Sequence, residues 1–468
     1  MHLNTTHFLA NMENKEDQLL LASPFGRVYH RQEMGMIMNC AIGLTNPVDV
    51  DSIKSAFSNS IMVTHPRFSS LMTKDSSGRT HWEKLPYINL DEHIIIIRRR
   101  DLSPNIMPTA QEKEDAVNAY LAEIAVSSPL SKEKPLWELH VLIGMDCLVL
   151  RVHHSIGDGT SLMSMLSACF GRNSNDMNHV AGRVGSNERW QRERGARDWI
   201  KSLWYTMVFS GKLHWKMMVA RDEKTVISGG RGVELWPRKL VTLKFKLQDI
   251  KAIKKAVPHV TVNDVFLGMI SSGLSKYLQS TKDQQDKLQV TGICAVNMRN
   301  VSALQASELT NSNFRTGWGN KNGSFLVPFS FHSKDGRHPL QHVKAIKSLM
   351  DRKKQSFEAH MSYSSVRNIT TLFGSKVGTW FYKRCLLRTT FFTSNIVGPR
   401  ETIVIAGNPV NFIRVVPSSS PQAMSLFMVS YAERVDLQIL MAKDIIHKPD
   451  FLARCFEESF NEMVYATA

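Results

Sequence analysis

The chain has 468 residues, of which 43% are hydrophobic and 21% charged, and its formal net charge is +16. This composition excludes a disordered chain, and the length exceeds one ordinary hydrophobic core, so two lobes are expected. The six cysteines are scattered without a Cys-x-x-Cys pair, which excludes a disulfide framework, and the positive charge favours an anionic partner such as phospholipid, nucleic acid or a phosphorylated cofactor.

The first 172 residues are predicted to form a leader and one lobe. Residues 1–20 are polar and mixed in charge, so we expect a flexible leader and no signal peptide. An uninterrupted run of about 18 apolar residues does not occur, so an ordinary membrane-spanning helix is not expected. Residues 21–172 are expected to form the N-terminal lobe, with strands at 34–44, 93–97, 135–142 and 147–152 and helices at 50–63, 114–127 and 160–170.

The stretch 149–159 stands out because a strand, two histidines and an Asp-Gly pair follow one another. Adjacent residues of extended chain point to opposite faces, so only one of His153 and His154 can face a cleft. Loops at strand ends hold side chains on rigid supports, which suits them for chemistry. This stretch is therefore the leading candidate for a functional site.

A neutral imidazole suits general-base catalysis, because its ordinary pKa lies close to neutral pH. Asp158 could accept an N–H of the loop, pair with a cation or orient the imidazole, and the sequence leaves these three roles open. Gly159 fits a backbone position that needs positive φ or close approach. Two structural histidines beside an Asp-Gly turn are the alternative interpretation, but the fixed spacing of the four residues favours a site.

Residues 173–239 are predicted to form a basic crossover between two lobes. The first part, 173–197, is polar, contains glycine and carries positive charge. The helix-length segment 199–220 then combines three tryptophans with lysines. Tryptophan rings and lysines on an amphipathic helix suit a membrane interface, whereas packing of this helix on the lobes is the alternative.

Residues 240–468 are predicted to form the C-terminal lobe. Thr261 and Asp264 have the spacing of a capping box, which explains Asp264 as a structural residue. Asn263 lies in the same first turn, is not needed by the cap and can donate its amide across a cleft. Apolar patterns predict a sheet with strands at 240–245, 288–298, 324–331, 392–397, 411–416, 423–430 and 434–441.

The His-His-x-x-x-Asp-Gly pattern resembles the active-site motif of the CoA-dependent acyltransferase superfamily. Further stretches occur in the order typical of wax ester synthase/diacylglycerol acyltransferases, and the plant wax-synthase branch is the most similar. These stretches are Pro135-Leu136-Trp137, Asn263-Asp264, Asn297-Met298-Arg299, Gly319-Asn320 and Ser394-Asn395-x-x-Gly398-Pro399. A BAHD transferase would instead carry Asp-Phe-Gly-Trp-Gly near its C-terminus, whereas here Thr316-Gly317-Trp318-Gly319 lacks the Asp-Phe and comes too early.

The resemblance implies an α/β fold with mixed sheets: two similar lobes of the chloramphenicol acetyltransferase-like acyltransferase fold around a central channel. It implies His154 as general base, Asp158 as a loop-holding residue paired with a cation such as Arg299, and His153 as packing or support. Asn263 is the candidate donor to the oxyanion. Acyl-CoA would be the co-substrate, with no tightly bound cofactor and no metal.

The acceptor implied by the resemblance is a long-chain fatty alcohol, giving a wax ester, with diacylglycerol as a second acceptor that would give triacylglycerol. The expected setting is a membrane surface, namely the cytosolic face of the endoplasmic reticulum, with the plasma membrane as a second location. The alternatives are another CoA-dependent transferase of BAHD type and a non-catalytic lipid-binding protein on the same scaffold. A nucleic-acid partner is not expected, because no nucleic-acid motif accompanies the basic runs.

Overall fold

The computed structural model of the chain describes residues 19–76, 78–98, 108–126, 128–171, 196–230, 232–281, 287–299, 318–332 and 338–467. The predicted leader lies outside this part except for residues 19 and 20, and so does most of the segment 173–197. In chain order the helices are α1 (Pro24–His30), α2 (Val50–Ser58), α3 (Ile61–Thr64), α4 (Leu90–His93), α5 (Ala110–Ile124), α6 (Gly159–Phe170), α7 (Ala196–Met218), α8 (Leu247–Ala256), α9 (Val262–Ser280), α10 (Pro339–Gln355), α11 (Glu358–Leu386) and α12 (Pro449–Tyr465).

The strands build two six-stranded sheets and one small sheet. In chain order they are β1 (Leu19–Leu21), β2 (Ile37–Leu44), β3 (Ser70–Lys74), β4 (Thr80–Lys84), β5 (Ile94–Arg98), β6 (Trp137–Ile143), β7 (Cys147–His153), β8 (Arg238–Lys246), β9 (Lys287–Asn297), β10 (Asn322–His332), β11 (Phe391–Val397), β12 (Val404–Ile405), β13 (Asn408–Pro417), β14 (Met424–Tyr431) and β15 (Arg434–Ala442).

The first large sheet has the order β12-β13-β2-β7-β6-β5, and the second has the order β10-β9-β11-β14-β15-β8. Both are mixed, because β5 pairs parallel to β6 and β11 pairs parallel to β9 and β14, while the other pairings are antiparallel. Each sheet has its own hydrophobic cluster with helices packed on it. The predicted two-lobed α/β architecture is confirmed.

Strand β13 crosses from one lobe to the other. It lies in the part of the chain predicted as the C-terminal lobe, yet it pairs antiparallel with β2, with Val415 opposite Cys40. The prediction that 411–416 helps to complete the second sheet is therefore wrong. A buried strand shows the same apolar run in either sheet, so its pattern alone cannot specify its partner.

The histidine-bearing strand lies at the centre of the first sheet. Every residue of β2 and of β7 is buried, as expected for central strands that are covered on both faces. Strands β6 and β7 form the predicted antiparallel hairpin, with Trp137 opposite Val152. The loop after β7 therefore starts from a rigid support, and it leads directly into α6.

The predicted capping box is present at α9, whereas one predicted helix is divided into two. The capping box at α9 is confirmed, because the side chains of Thr261 and Asp264 each accept the other residue's backbone N–H. The predicted helix 50–63 is instead two helices, and Asp49 caps the first of them. Ser60 has extended backbone angles, which interrupts the helix after Asn59.

No helix in the described ranges is both long enough and apolar enough to span a bilayer.

Candidate active site

A cavity of about 120 Å³ lies between the two large sheets. Side chains of β2, β9 and β11 line it together with residues of α6, α7 and α11. Most of the lining is apolar, and the polar groups in it include Tyr29, His154, Asn297, Tyr382, Ser394 and Asn395. A small set of polar groups in an apolar cleft between two lobes is typical of a substrate site.

His154 is fixed in this cavity by the loop that carries Asn320. The ring Nδ1 lies 2.8 Å from Asn320 Oδ1, while Asn320 Nδ2 donates to the His154 carbonyl oxygen at 2.8 Å. Since the amide nitrogen is committed to that carbonyl, the amide oxygen faces Nδ1 and accepts its proton. The Nε2 lone pair is thereby left for chemistry.

The imidazole of His154 is partly buried and packs on an aromatic ring. Its ring stacks on Tyr29 with 4.3 Å between ring centroids. Burial lowers the pKa of His154 below its usual 6.5, while the Asp158 carboxylate opposes that shift. The imidazole is therefore neutral at pH 7, as a general base must be.

His153 points away from the cavity, as expected for a neighbour in extended chain. Its Nδ1 accepts from the Ser155 backbone N–H at 3.2 Å and lies 2.8 Å from Ser155 Oγ, and its ring packs edge-on against His30. Burial lowers the pKa of His153 to about 3. It is a packed, neutral histidine that supports the loop.

Asp158 binds the loop and a buried cation at the same time. One carboxylate oxygen caps α6 by accepting from the Ser161 N–H at 3.0 Å. The other accepts from Arg299 Nη1 at 2.8 Å and from the Lys321 N–H at 3.0 Å. The expected pairing of Asp158 with Arg299 is confirmed, so two of the roles left open by the sequence, N–H acceptor and cation partner, are both filled.

The 318–321 loop joins the second lobe to the histidine loop. Arg299 donates to the Gly319 carbonyl oxygen, and the Trp318 indole donates to the Ile156 carbonyl oxygen at 2.7 Å. Gly319 has φ of +101°, a conformation that favours glycine. The Gly319-Asn320 pair therefore belongs to the site, whereas Thr316 and Gly317 lie outside the described residues.

Gly159 and Gly398 are places of close approach. A Cβ on Gly159 would lie 3.0 Å from Ile396 Cδ1, and one on Gly398 would lie 2.6 Å from the Ser430 carbonyl oxygen. Close approach rather than positive φ thus explains Gly159. The Gly398 N–H donates to that same Ser430 oxygen, and the Pro399 carbonyl accepts from Ala432, so this turn ties β11 to β14.

The predicted role of Asn263 is not supported by its position. Its amide lies at the thiol of Cys294, whose pKa burial raises to about 12 against the effect of that hydrogen bond. Asn263 does not belong to the cavity lining that includes His154. Its neighbour Asp264 is buried, caps α9 and pairs with Lys354 at 3.4 Å, as a structural residue would.

The Pro135-Leu136-Trp137 stretch is a support rather than part of the cavity wall. All three residues are buried, and the Leu136 carbonyl oxygen accepts from the His153 N–H at 3.0 Å. The indole of Trp137 donates to the Phe68 carbonyl oxygen at 2.8 Å. These contacts fix the end of β7 from which the histidine loop emerges.

Two tyrosines of the site were not identified in the sequence. Tyr29, on α1, stacks on His154, and its hydroxyl lies 3.4 Å from that of Tyr382 on α11. Nothing in the surrounding sequence marks either one, because isolated tyrosines on helices are ordinary core residues. Only the tertiary contact of α1 with α11 brings them together.

Comparison with known proteins agrees with this geometry. The wax ester synthase/diacylglycerol acyltransferase catalytic domain model matches residues 35–208, and the WS/DGAT C-terminal domain model matches residues 318–464. Together the two models of this family match more than half of the chain.

Whole-chain relatives lead to the same group. Wax ester synthase/diacylglycerol acyltransferase 11 of Arabidopsis thaliana is 29% identical over 458 residues, which cover 91% of each chain. Wax ester synthase/diacylglycerol acyltransferase 4 of the same plant is 28% identical over 498 residues, which cover 99% of this chain and 93% of that protein.

Among solved structures, the wax ester synthase/diacylglycerol acyltransferase from Marinobacter aquaeolei has a TM-score of 0.58 at 16% identity, covering 96% of this chain and 99% of that chain. The first condensation domain of the calcium-dependent antibiotic synthetase has a TM-score of 0.55 at 15% identity, covering 96% of both chains. These two likenesses show a shared fold. With the two family models, the chain therefore belongs to the wax ester synthase/diacylglycerol acyltransferase family, and it is an acyltransferase.

Proposed function

We propose that the chain moves a long-chain fatty acyl group from acyl-CoA to the hydroxyl of a fatty alcohol, giving a wax ester, and takes diacylglycerol as a second acceptor. The observation that carries the proposal is His154, which lines the cavity between the lobes with Nδ1 held by Asn320. The family relationship supplies the substrate class, and the apolar lining supports a lipid acceptor.

The reaction needs one base that acts twice. His154 Nε2 accepts the proton of the acceptor hydroxyl as its oxygen attacks the thioester carbonyl. The tetrahedral adduct then collapses, the C–S bond breaks, and the imidazolium returns the proton to the CoA thiolate. Because both substrates meet at one histidine, no covalent acyl-enzyme is required.

The oxyanion of the adduct needs a hydrogen-bond donor near His154. The Ser394 hydroxyl and the Asn395 amide line the same cavity, so they replace Asn263 as candidate donors. The Oδ1 of Asn395 is buried with no hydrogen-bond partner. Of this amide, Nδ2 is the end that can donate to an oxyanion.

A membrane surface is the proposed setting, and the cytosolic face of the endoplasmic reticulum is the proposed location. Helix α7 supports this setting, because Trp199, Trp204 and Trp215 are all exposed on it. Exposed tryptophans beside lysines suit the headgroup region of a bilayer. Fusion of the full chain to a fluorescent protein, followed by microscopy of plant cells, tests the location.

The activity is tested by incubating the full chain with a radiolabelled long-chain acyl-CoA. Hexadecanol and diacylglycerol are offered in separate reactions, and the lipid products are separated by chromatography. We expect labelled wax ester from the first and labelled triacylglycerol from the second. Acyl-CoA consumption without either ester, or label retained covalently on the protein, contradicts the proposal.

Asn320 is a positioning residue whose removal should slow the reaction. We expect Asn320→Ala to lower kcat by about 10- to 100-fold, because groups that orient a catalytic imidazole contribute on that scale. The matched variant Asn320→Asp keeps an acceptor for the Nδ1 proton and should retain more activity. Because a carboxylate raises the pKa of a neighbouring imidazole, Asn320→Asp should also move the acidic limb of the pH profile to higher pH.

The pH dependence of the rate should follow His154. Only the neutral imidazole can accept the hydroxyl proton, and burial keeps its pKa below 6.5. The midpoint of the acidic limb of the pH profile is therefore expected to lie below pH 6.5, with the rate falling as the pH decreases through it. Measurement of kcat/KM for acyl-CoA between pH 5 and 8 checks this, and a midpoint above pH 6.5 contradicts it.

A further inference from the structure

Helices α7 and α11 together present an exposed apolar surface. Leu203 is 71% exposed, Leu372 74% and Phe373 66%, and further large apolar side chains on both helices are exposed. These further side chains are Trp199, Ile200, Trp204, Met207, Trp215, Met361, Val377 and Trp380. Exposed apolar side chains in such number on two packed helices suggest an interaction site.

The charges around this surface are mostly positive, although the exposed Asp198 lies at the start of α7. Residues 199–221 contain four Lys or Arg and no Asp or Glu, and residues 359–400 contain six Lys or Arg and no Asp or Glu. Lys201, Lys212, Arg367 and Lys376 are exposed there. Apolar side chains framed by cations match an anionic phospholipid bilayer, in which headgroups pair with the cations and the apolar groups enter the acyl region.

The opposite faces of the same two helices line the cavity of His154. Leu213 and Met217 of α7 are part of its lining, and so are Val366, Tyr382 and Leu386 of α11. A helix with its side chains is about 10 Å thick. Only one layer of helix therefore separates the exposed surface from the catalytic cavity.

The seam between α7 and α11 is held at its two ends by hydrogen bonds. At one end, the Thr206 hydroxyl oxygen accepts from the Phe357 N–H at 2.9 Å. At the other end, Arg384 Nε donates to the Met217 carbonyl oxygen at 2.9 Å. Between these ends, Leu213, Val366 and other apolar residues meet in one cluster.

The middle of α11 is interrupted beside the exposed surface. Gly374 has φ of +83° and ψ of 168°, which are not helical angles, and it divides α11 into two segments. Leu372 and Phe373 precede this break and are the most exposed apolar residues of α11. A seam of apolar contacts next to a helix break can part without the loss of a hydrogen-bonded core.

We propose that the lipid alcohol passes from an anionic bilayer to His154 through the seam between α7 and α11, with the outer faces of both helices resting on the bilayer. The inference rests on the proposed function, because it concerns delivery of that reaction's acceptor. A second opening of the described structure is a cleft of about 1060 Å³ between α5 and β8, lined by Glu114, Asp115, Lys239 and Lys244 among others. Its charged walls suit a hydrated ligand rather than an alkyl chain.

Photolabelling tests the route. The full chain, without acyl-CoA, is mixed with phosphatidylcholine/phosphatidylserine vesicles that contain a diazirine-bearing hexadecanol, irradiated, digested and mapped by mass spectrometry. Label concentrated at 213–217, 366 and 382–386 supports the seam. Label concentrated at 111–123 and 238–244, or in neither region, overturns it.

A kinetic comparison tests the surface. The double variant Leu372→Glu/Phe373→Glu is expected to lose at least about tenfold of the rate on vesicle-embedded hexadecanol, because acidic side chains repel the anionic surface. Its rate on dissolved hexanol should stay within about twofold of wild type, since this alcohol needs no bilayer. The control Tyr87→Glu alters a side chain that is 77% exposed and belongs to neither helix, so both rates should be kept.

Different results contradict the bilayer route and the proposed function. Equal rates of variant and wild type on vesicle hexadecanol, or an equal loss on both alcohols, overturn the bilayer route. A wild-type chain that esterifies neither alcohol overturns the proposed function instead. The photolabelling pattern reports the route in either case, because it does not depend on turnover.

Discussion

Replacement of His154 by alanine is expected to lower ester formation by at least about a hundredfold, because a positioned general base contributes roughly 10²–10⁴ to the rate. The variant loses the only imidazole that lines the cavity in the described part of the chain. The KM for acyl-CoA should change little, since the base acts on the acceptor hydroxyl and not on CoA binding. Initial rates with labelled acyl-CoA and hexadecanol measure both quantities.

The matched control for this experiment is His153→Gln. His153 is adjacent in sequence but contacts Ser155 and His30 rather than the cavity. Replacement of His153 should lower the stability of the fold more than the rate of ester formation. The folded fraction is therefore measured by circular dichroism in both variants. Near-normal turnover by His154→Ala, or equal losses in the two variants at equal folded fraction, would refute the assignment of the base to His154.

The main features of the fold were predictable because they depend on local patterns. Alternation and apolar runs identified most strands of the two sheets, and the capping box located the start of α9. Which strands pair with one another was less predictable. Strand β13 pairs with β2 of the first sheet, and sequence periodicity carries no information about which strand a buried strand will pair with.

Helix α11 shows the other limit of prediction from sequence. It spans 29 residues and has no clear apolar stripe, because one side faces the cavity and another exposes Leu372, Phe373 and Trp380. Gly374 and Gly378 also interrupt the pattern that identifies a helix. A helix with apolar residues on two faces is recognised only once both surroundings are known.

At the site, the sequence predicted a candidate base and its loop but not which residues hold them. Asp158 and Arg299 are far apart in the chain, and the resemblance to a known family brought them together. Asn320 was marked as a motif residue without a role, and its contact with Nδ1 of His154 appeared only in three dimensions. The structure gives no support to the role predicted for Asn263, and its position in a helix's first turn does not reveal that it contacts Cys294.

The second large expected effect is a loss of folding stability when the ion pair between Asp158 and Arg299 is broken. Their side chains are 0% and 3% exposed, respectively, so neither charge can turn to water when its partner is lost. Asp158→Ala is expected to lower the free energy of unfolding by about 3–5 kcal/mol, because the buried guanidinium of Arg299 loses this carboxylate partner. Urea denaturation followed by tryptophan fluorescence measures the change.

Two further variants separate the ion pair from the cap. Asp158→Asn keeps an oxygen for the Ser161 N–H but loses the charge, so it should recover only the share of about 1 kcal/mol that a helix cap contributes. The double variant Asp158→Ala/Arg299→Met removes both charges and should be more stable than Asp158→Ala alone, since a buried pair replaced by apolar groups costs less than a broken one. If the double variant is no more stable, the broken ion pair with Arg299 is not the source of the loss, and Asp158 stabilises the histidine loop through its backbone contacts instead.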